Sequence, residues 1–541
     1  MFDDESRSTG PSTLVRWPDN KILRDRLLCL YLPFLIAVLL TFATTPDDAF
    51  ITLRYAANLI HGYGLTFNPG QRVQGFTSPL GLGVAILVYA LPGGLILFKM
   101  KLASMVFGLL AIREAALLID VVFAPRWVSR VAYVVVGLCP VLAFASGNGL
   151  ETTLEVWLLL ALARRLTVDR RGMTLTDGVL AFFAVLARPD ALVALTCMAI
   201  TGFLVGREHN PVARIKWYLG AVVAAAASLA VQWAYFGSAL PSTYYAKHLP
   251  LLRSMRLGLN YLSGLLQPVV FANRRHFSSI PIDSVNFIEA ALFILGTIEI
   301  VRHRRALTYL VALVVGQALF IFWSGGEVFV GGRFLAPAAV PFILVELMGV
   351  LNLVRINGQY SATNTGHLWP ILLTSLLLMT SVAPYLYERA PVSRIKGLTD
   401  ASLVAASTEY TVGQVWLQLP SLLACMRPGE LVATTEVGYL GFERLDLRIL
   451  DMRGLTNINI ARDTPSAMKG LGGVDELNWW QPASSVGRNI LARHPAAIVE
   501  FDSVPTSDVL GGKYRLVRTE ELGVQTIGVY VPSFSRRSCL G

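Results

Sequence analysis

Two adjacent carboxylates, Asp47 and Asp48, follow the first apolar segment of the chain, in TTPDDAFITLRYAANLI. One interpretation is structural, because Thr45 as N-cap, Pro46 in the first turn and acids near the positive end of the dipole make an ordinary helix start. The other is chemical, because a helix begun in this way holds a carboxylate rigidly enough for general-base or electrostatic catalysis. The two interpretations are compatible.

Two other stretches each contain an arginine, a residue type that suits the binding of a phosphate ester. Arg188 interrupts an apolar segment in LARPDAL. It either forms a salt bridge with Asp190 at a helix break or binds a phosphate through its planar guanidinium. Glu327 and Arg333 share the glycine-rich stretch WSGGEVFVGGRFLAP between two apolar segments.

Five more polar residues stand at the ends of apolar segments. Asn148 and Glu151, in ASGNGLETTLEVW, are either a helix start with an acid near the dipole or part of a site. Tyr244, Tyr245 and Lys247, in FGSALPSTYYAKH, are either ordinary residues of a membrane interface or ligands of a phosphate at the level of the lipid head groups.

The elements that must position these residues are membrane helices. Of the 541 residues, 54% are hydrophobic and 15% are charged, whereas soluble domains carry about 25% charged residues. The net charge of +10 comes from basic residues that mark the cytoplasmic loops of a membrane protein, so it does not indicate nucleic-acid binding. The first apolar segment lacks a small-residue cleavage site and is interpreted as an uncleaved span.

Apolar segments predict eleven spans, and basic residues in the N-terminal tail and the short loops place the N-terminus in the cytoplasm. The spans are expected near 27–44, 102–123, 131–146, 150–163, 175–187, 190–206, 214–236, 284–301, 306–323, 333–352 and 366–387. A twelfth apolar segment, 80–98, is interrupted by LPGG. It lies in the interface, re-enters the membrane or pairs with another segment.

With this topology all the candidate residues converge on the outer face of the membrane. Ionisable residues near a bilayer are costly, so such a group indicates a functional site. Arg333 also breaks the positive-inside pattern, which favours a function for its loop.

The composition changes near residue 388. The stretches ELVATTEVG, RILDM, AAIVEF, YRLVR and TIGVYVP have β character, and TDASLVAASTEYTVGQVWLQL has helical character. We therefore predict a cytoplasmic tail (1–26), a transmembrane domain (27–387) and a soluble extracytoplasmic α/β domain (388–541), whose roughly 150 residues suffice for one core. An extracytoplasmic location would permit a disulfide involving Cys425 and Cys539.

In this order, the stretches DDAFITLRYAANLIHGYGLTFNPGQRVQGFTSPL, SGNGLETTL, ARPDAL, FGSALPSTYYAK, GGEVFVGGRFLAP and ILDMRGLTN resemble the GT-C glycosyltransferases. These are polytopic enzymes that use a polyprenyl-phosphate sugar. Within them the chain most resembles the arabinofuranosyltransferases that put terminal residues on the mycobacterial cell-wall arabinan, and the resemblance covers most of the chain. It implies transfer of a sugar, by this resemblance arabinofuranose, to a cell-envelope glycan or glycolipid at the outer face of a bacterial cytoplasmic membrane.

The resemblance also implies roles for residues. The acidic pair of the family maps to Asp47 and Asp48 as catalytic residues, with Asp47 preferred as the first acid of the signature. The family's Gly-Gly-acid…Arg-Phe-Leu-x-Pro loop maps to 325–337, where Glu327 stands in place of an expected Asp. A polyprenyl-phosphate leaving group gains charge as the glycosidic bond breaks, so cations should assist. The donor-phosphate ligands are then Arg188, Lys247, Arg333 and, as a further candidate, Arg54, and the substrate-binding residues are Asn148, Glu151, Tyr244, Tyr245 and Glu327.

This scheme requires no metal or other cofactor, and dependence on a divalent metal stays open. The competing class is a transporter or flippase of lipid-linked sugars, which is expected to carry polar residues deep within its spans, often in paired repeats. Here they gather at one face and an external domain follows, which favours the enzyme. A non-catalytic scaffold for envelope assembly is a third class.

Overall fold

The computed structural model describes residues 20–123, 126–168, 174–205, 215–266, 282–327, 332–360, 399–405, 417–471, 473–474, 479–501, 505, 508–522 and 525–535. Up to Tyr360 the described chain is mainly helical, and from Leu431 onward strands appear. The helical part and the C-terminal region are in direct contact, and the candidate residues lie near that contact.

The helical part contains sixteen described α-helices of very different length. They are α1 (Asn20–Arg26), α2 (Leu32–Thr41), α3 (Asp48–Ile60), α4 (Pro79–Ala90), α5 (Ile96–Val122), α6 (Arg126–Gly137), α7 (Pro140–Gly147), α8 (Thr152–Val168), α9 (Leu175–Ala187), α10 (Ala191–Val205), α11 (Tyr218–Phe236), α12 (Ser242–Ala246), α13 (Leu251–Leu266), α14 (Ile282–His303), α15 (Thr308–Ser324) and α16 (Ala336–Tyr360). A π-helical turn (Leu27–Tyr31) joins α1 to α2, and 3-10 turns (Arg305–Leu307 and Arg333–Leu335) precede α15 and α16.

Three described helices are long and apolar enough to cross a membrane: Tyr218–Phe236, Arg305–Ser324 and Arg333–Leu353. The pair α6 and α7 would make a fourth, bent by 46° at Pro140, whose ring cannot continue the preceding helix. The predicted count of eleven to twelve spans is therefore not confirmed, and the predicted span 366–387 lies outside the described residues.

The apolar segment 80–98 is two elements. α4 ends at Ala90 and α5 begins at Ile96, after a turn in which Leu95 adopts the left-handed conformation with φ 63°. Pro92 and the glycines that follow it do not continue a helix. α5 is consequently longer than the span predicted at 102–123, because it starts six residues earlier.

The C-terminal region contains a five-stranded sheet in the order β2-β1-β5-β7-β6. Its strands are β1 (Leu431–Thr434), β2 (Arg448–Asp451), β5 (Ala497–Phe501), β6 (Tyr514–Leu522) and β7 (Gln525–Pro532), and β3 (Lys469–Gly470) and β4 (Gly473–Val474) form a separate short pair. β1 pairs in parallel with β2 and β5, whereas β7 is antiparallel to β5 and β6. Each of the five predicted β stretches therefore contains a strand.

Short helices accompany this sheet: α17 (Asp400–Ala405), α18 (Gly438–Glu443), α19 (Ile458–Asp463) and α20 (Ser485–Arg493). α18 packs on α3, where the rings of Phe50 and Tyr439 are 5.2 Å apart. Cys425 is disulfide-bonded, as an oxidising compartment would allow, and Cys539 lies outside the described residues.

Candidate functional site

A cavity of about 600 Å³ lies where the helical part meets the C-terminal region. Part of its wall is apolar and comes from α10, α11 and α15, including Leu192, Leu229 and Phe320. α11 and α15 belong to the candidate membrane spans. Another part of the wall carries the charged residues Asp48, Glu151, Arg188, Asp190, Lys247 and Arg333, and we call this space the charged cavity.

Asp48, the first residue of α3, faces this cavity. Its Oδ2 lies 3.1 Å from Nη2 of Arg333, and Arg333 also forms an ion pair with Glu327. Glu327 is buried, and this burial raises the pKa of its carboxyl although Arg333 and Lys247 oppose the effect. The guanidinium of Arg333 therefore joins the loop of Glu327 to the start of α3, although Arg333 and Asp48 are 285 positions apart in the sequence.

Asp47 is 7% exposed and faces the C-terminal region instead. Its carboxylate accepts backbone N–H bonds from Gly438 at 2.6 Å and from Tyr439 at 2.7 Å. Burial and the nearby charge of Glu436 raise the pKa of Asp47. Gly438 fits here because a Cβ would lie 2.1 Å from the carbonyl oxygen of Asp47.

The predicted helix cap is different in the structure. Asp47, not Thr45, occupies the N-cap position of α3, and its side chain makes no capping bond. The hydroxyl of Thr45 donates to the carbonyl of Ala43. Of the two predicted catalytic carboxylates, the structure thus places Asp48 at the charged cavity, whereas the side chain of Asp47 contacts the C-terminal region. Which of the two is the catalytic acid stays a prediction.

Arg188, at the end of α9, is 5% exposed and is surrounded by carboxylates. Its guanidinium lies 3.0 Å from Asp190, 3.1 Å from Glu155 and 3.3 Å from Glu151. Burial alone would lower the pKa of Arg188, but these three acids outweigh it and raise the pKa. The predicted salt bridge with Asp190 is present, and Arg188 still lines the cavity.

Sequence analysis gave no site role to Glu155, or to Phe334 within the mapped loop 325–337. Glu155 follows Glu151 by four positions on α8, and that spacing puts two side chains on one helix face, which is a signal that could have found it. Phe334 lies between two guanidiniums, with Arg188 4.9 Å and Arg333 5.5 Å from its ring centroid. Cation–π contact of this kind holds both arginines beside the cavity.

Lys247 and Tyr244 approach the cavity from the segment around α12. Within the described residues the Lys247 ammonium has no hydrogen bond and no carboxylate within 4 Å, and burial lowers its pKa against the opposing charge of Asp48. The ring of Tyr244 stacks on Trp323, with centroids 6.1 Å apart. Lys247 is therefore a cation that is available to an anionic ligand.

Besides Asp47 and Glu327, three predicted site residues do not line the charged cavity. Asn148 closes a turn by accepting the N–H of Leu150 at 2.9 Å. The ring of Tyr245 faces the guanidinium of Arg462 at 4.5 Å. Neither lines the charged cavity.

Arg54 is the third, and a donor-phosphate role for it is not supported. It is 0% exposed and donates to the carbonyls of Phe67 at 2.6 Å and Leu447 at 2.7 Å, and also to that of Gly441. Burial lowers its pKa to about 10. Arg54 therefore links α3 to the C-terminal region.

The charged cavity can hold an anion next to Lys247 and Arg333 with a carboxylate, Asp48, beside it. The parts of the chain that the structure describes contain no cluster of three or more His, Cys, Asp or Glu that could hold a metal ion.

Comparisons with known proteins give the following similarities. A family described as a domain of unknown function, DUF8728, matches residues 398–535, and no curated protein matches the chain. The chain is similar to ArnT from Cupriavidus metallidurans in a crystal structure bound to undecaprenyl phosphate, with 13% identity, a TM-score of 0.48, and coverage of 96% of this chain and 98% of that one.

It is also similar to the arabinofuranosyltransferase AftD from Mycobacteria, solved by cryo-EM, with 14% identity and a TM-score of 0.44. That alignment covers 92% of this chain and 41% of the AftD chain. Similarities with identities this low and TM-scores under 0.5 do not establish a function for this chain.

Proposed function

We propose that this protein is a membrane glycosyltransferase of GT-C type. It moves a sugar, by the resemblance of its motifs arabinofuranose, from a polyprenyl-phosphate donor to a cell-envelope glycan or glycolipid at the outer face of the cytoplasmic membrane. The observation that carries the proposal is one cavity in which Asp48, Lys247 and Arg333 adjoin an apolar wall made by candidate membrane helices.

The two kinds of wall suit the two halves of such a donor. An isoprenoid chain is entirely apolar and would lie along α10, α11 and α15, where burying it is favourable. Its phosphate would then meet Lys247, which has no anionic partner among the described side chains, and Arg333. These cations stabilise the charge that the phosphate gains as the glycosidic bond breaks.

In this proposal Asp48 acts on the acceptor or on the sugar itself. As a base it accepts the proton of the acceptor hydroxyl, or as a charge it stabilises the oxocarbenium-like sugar of the donor. The ion pair with Arg333 at 3.1 Å fixes the direction of this carboxylate. Arg188, which has three acids around it, is instead suited to holding Glu151 and Asp190 in place.

The experiment is to incubate purified protein with a panel of polyprenyl-phosphate sugars and an arabinan acceptor, and to measure release of polyprenyl phosphate. We expect release with one sugar and a loss of activity of about 10²–10⁴-fold in Asp48→Asn. Asp508→Asn, at an exposed position of the C-terminal region, is the matched control and should keep full activity. A flippase would move the lipid without releasing polyprenyl phosphate, and that result would overturn the proposal.

A further inference from the structure

A second cavity, of about 510 Å³, lies beside the first. It is formed by the loop after α3 and by the C-terminal region, without residues of the candidate membrane spans. Apart from the hydroxyl of Thr456, its polar side chains are amides and guanidiniums, from Asn68, Gln71, Asn457, Asn459, Arg448 and Arg493. We call it the amide cavity.

A thin wall separates the amide cavity from the charged cavity. Val73 and Thr456 line the amide cavity, whereas Gly75 and Leu455 line the charged one. The wall is tightly packed, since a Cβ on Gly75 would lie 2.6 Å from Cγ2 of Thr456. A ligand of the amide cavity would therefore lie close to the proposed reaction site.

Arg448 and Arg493 bring two positive charges to this cavity. Burial and, second, the charge of Arg448 lower the pKa of Arg493. In the part of the chain that the structure describes, neither has a carboxylate within 4 Å. This differs from Arg188 and Arg333, which have acidic partners. Two unneutralised guanidiniums in one cavity favour a bound phosphate or carboxylate.

The amides divide into structural and available groups. The side-chain amide of Asn68 takes the place of a neighbouring strand. It accepts the N–H of Ile449 at 2.8 Å and donates to the carbonyl of the same residue at 2.8 Å. Asn457 caps α19. Among the described residues, the side-chain nitrogens of Gln71 and Asn459 donate to no protein atom, so they can donate to ligand hydroxyls.

We propose that the amide cavity binds the acceptor glycan through an anionic group, a phosphate or a carboxylate, on its sugar chain. That this ligand is the acceptor rests on the function proposed above, whereas its anionic sugar chemistry follows from the side chains of the amide cavity. The donor is not expected here, since no candidate membrane span contributes to the wall of the amide cavity.

Binding is tested on the full-length protein in detergent by calorimetry with glucose 1-phosphate, glucuronate, inorganic phosphate and glucose. We expect glucose 1-phosphate or glucuronate to bind at least tenfold more tightly than glucose, and the better of the two identifies the anionic group. Inorganic phosphate should bind more weakly than glucose 1-phosphate because it offers nothing to the amides. Equal binding of glucose and both anionic sugars would overturn the proposal.

The variants are Arg448→Gln and Arg493→Gln, singly and together, because glutamine keeps much of the side-chain volume without the charge. The double variant should lose at least tenfold in affinity at an unchanged melting temperature. Arg518→Ala, at an exposed position on the opposite edge strand β6, should bind as the parent does. Full affinity in the double variant would refute the site.

Transfer kinetics separate this inference from the function on which it rests. With an anionic acceptor, the double variant should raise KM for the acceptor at least tenfold and leave KM for the donor unchanged. If binding of the anionic sugar needs Arg448 and Arg493 but the protein releases no polyprenyl phosphate, the amide cavity is confirmed as a binding site and the glycosyltransferase function is rejected.

Discussion

The neighbouring carboxylates Asp47 and Asp48 serve two different parts of the molecule. Asp47 accepts the N–H groups of Gly438 and Tyr439, and Asp48 pairs with Arg333 at the charged cavity. The C-terminal region therefore holds Asp47, the residue directly before the proposed catalytic acid Asp48. This arrangement predicts different results for the two Asp→Asn variants.

Asp48→Asn should abolish most sugar transfer and leave the fold intact, because Asp48 contributes to chemistry and an amide is an adequate helix-terminal residue. Asp47→Asn should mainly lower stability, since an amide can accept only through its oxygen and its nitrogen would face a backbone donor. Losing a buried, charge-assisted bond costs about 1–3 kcal/mol. Melting temperature and transfer rate of both variants provide the measurement. The reverse pattern, with Asp47→Asn stable but inactive, would show that Asp47 is the catalytic acid.

Lys247 and Arg333 should respond differently to substitution. Lys247→Ala removes a cation that has no acidic partner among the described residues, so KM for the donor should rise and the melting temperature should stay constant. Arg333→Lys replaces a planar fork that joins Asp48 and Glu327 by a point charge, so kcat should fall as well. Steady-state kinetics with the identified donor measures both effects. Wild-type kinetics in both variants would remove the phosphate site from this cavity.

Arg54 is predicted to act on stability and not on donor binding. Arg54→Leu would leave the carbonyls of Phe67, Gly441 and Leu447 without their buried donor, and each such loss costs about 1–3 kcal/mol. We expect a clear drop in melting temperature with an unchanged KM for the donor in the folded protein. Arg72→Leu, on the loop after α3 with its guanidinium over the ring of Tyr235, is the control. A stable Arg54→Leu protein with a raised donor KM would restore the original phosphate role.

Glu500, on β5, predicts a pH dependence of stability. Burial raises its pKa to about 8, above the value of about 4.3 in an unfolded chain. The folded protein therefore binds a proton that the unfolded chain releases, and the resulting stabilisation is complete below pH 4 and disappears as the pH rises to 8. Melting temperatures between pH 5 and 8 should fall less steeply in Glu500→Gln than in the parent. Glu521→Gln, at an exposed position on β6, should keep the parental slope, and an equally steep fall in Glu500→Gln would contradict the prediction.

The predicted topology places the N-terminus inside and the C-terminal region outside. A membrane-impermeant thiol reagent applied to intact cells should label Lys513→Cys and should not label Lys21→Cys, both at exposed positions. The parent chain, whose Cys425 is disulfide-bonded, gives the background. Labelling of Lys21→Cys from outside would overturn this orientation.

Local patterns in the sequence were sufficient to locate the strands of the C-terminal region and several of the residues that line the charged cavity. The alternation and β-branched content of AAIVEF and TIGVYVP specify strands, and both are strands in the sheet. Asp48, Glu151, Arg188, Lys247 and Arg333 were recognisable because charge in or beside an apolar segment is costly and needs a reason.

The direction of each side chain depended on residues far along the chain. Asp47 and Asp48 have equal local signals, yet Asp47 meets Gly438, 391 positions later, and Arg54 meets Leu447, 393 positions later. Buried polar groups take whichever partners the packed interface supplies, and no periodicity within one segment contains that information. Residue type alone marks the side chains that are expensive to bury, whereas the contact between α3 and the C-terminal region selects which of them line the charged cavity and which hold the two regions together.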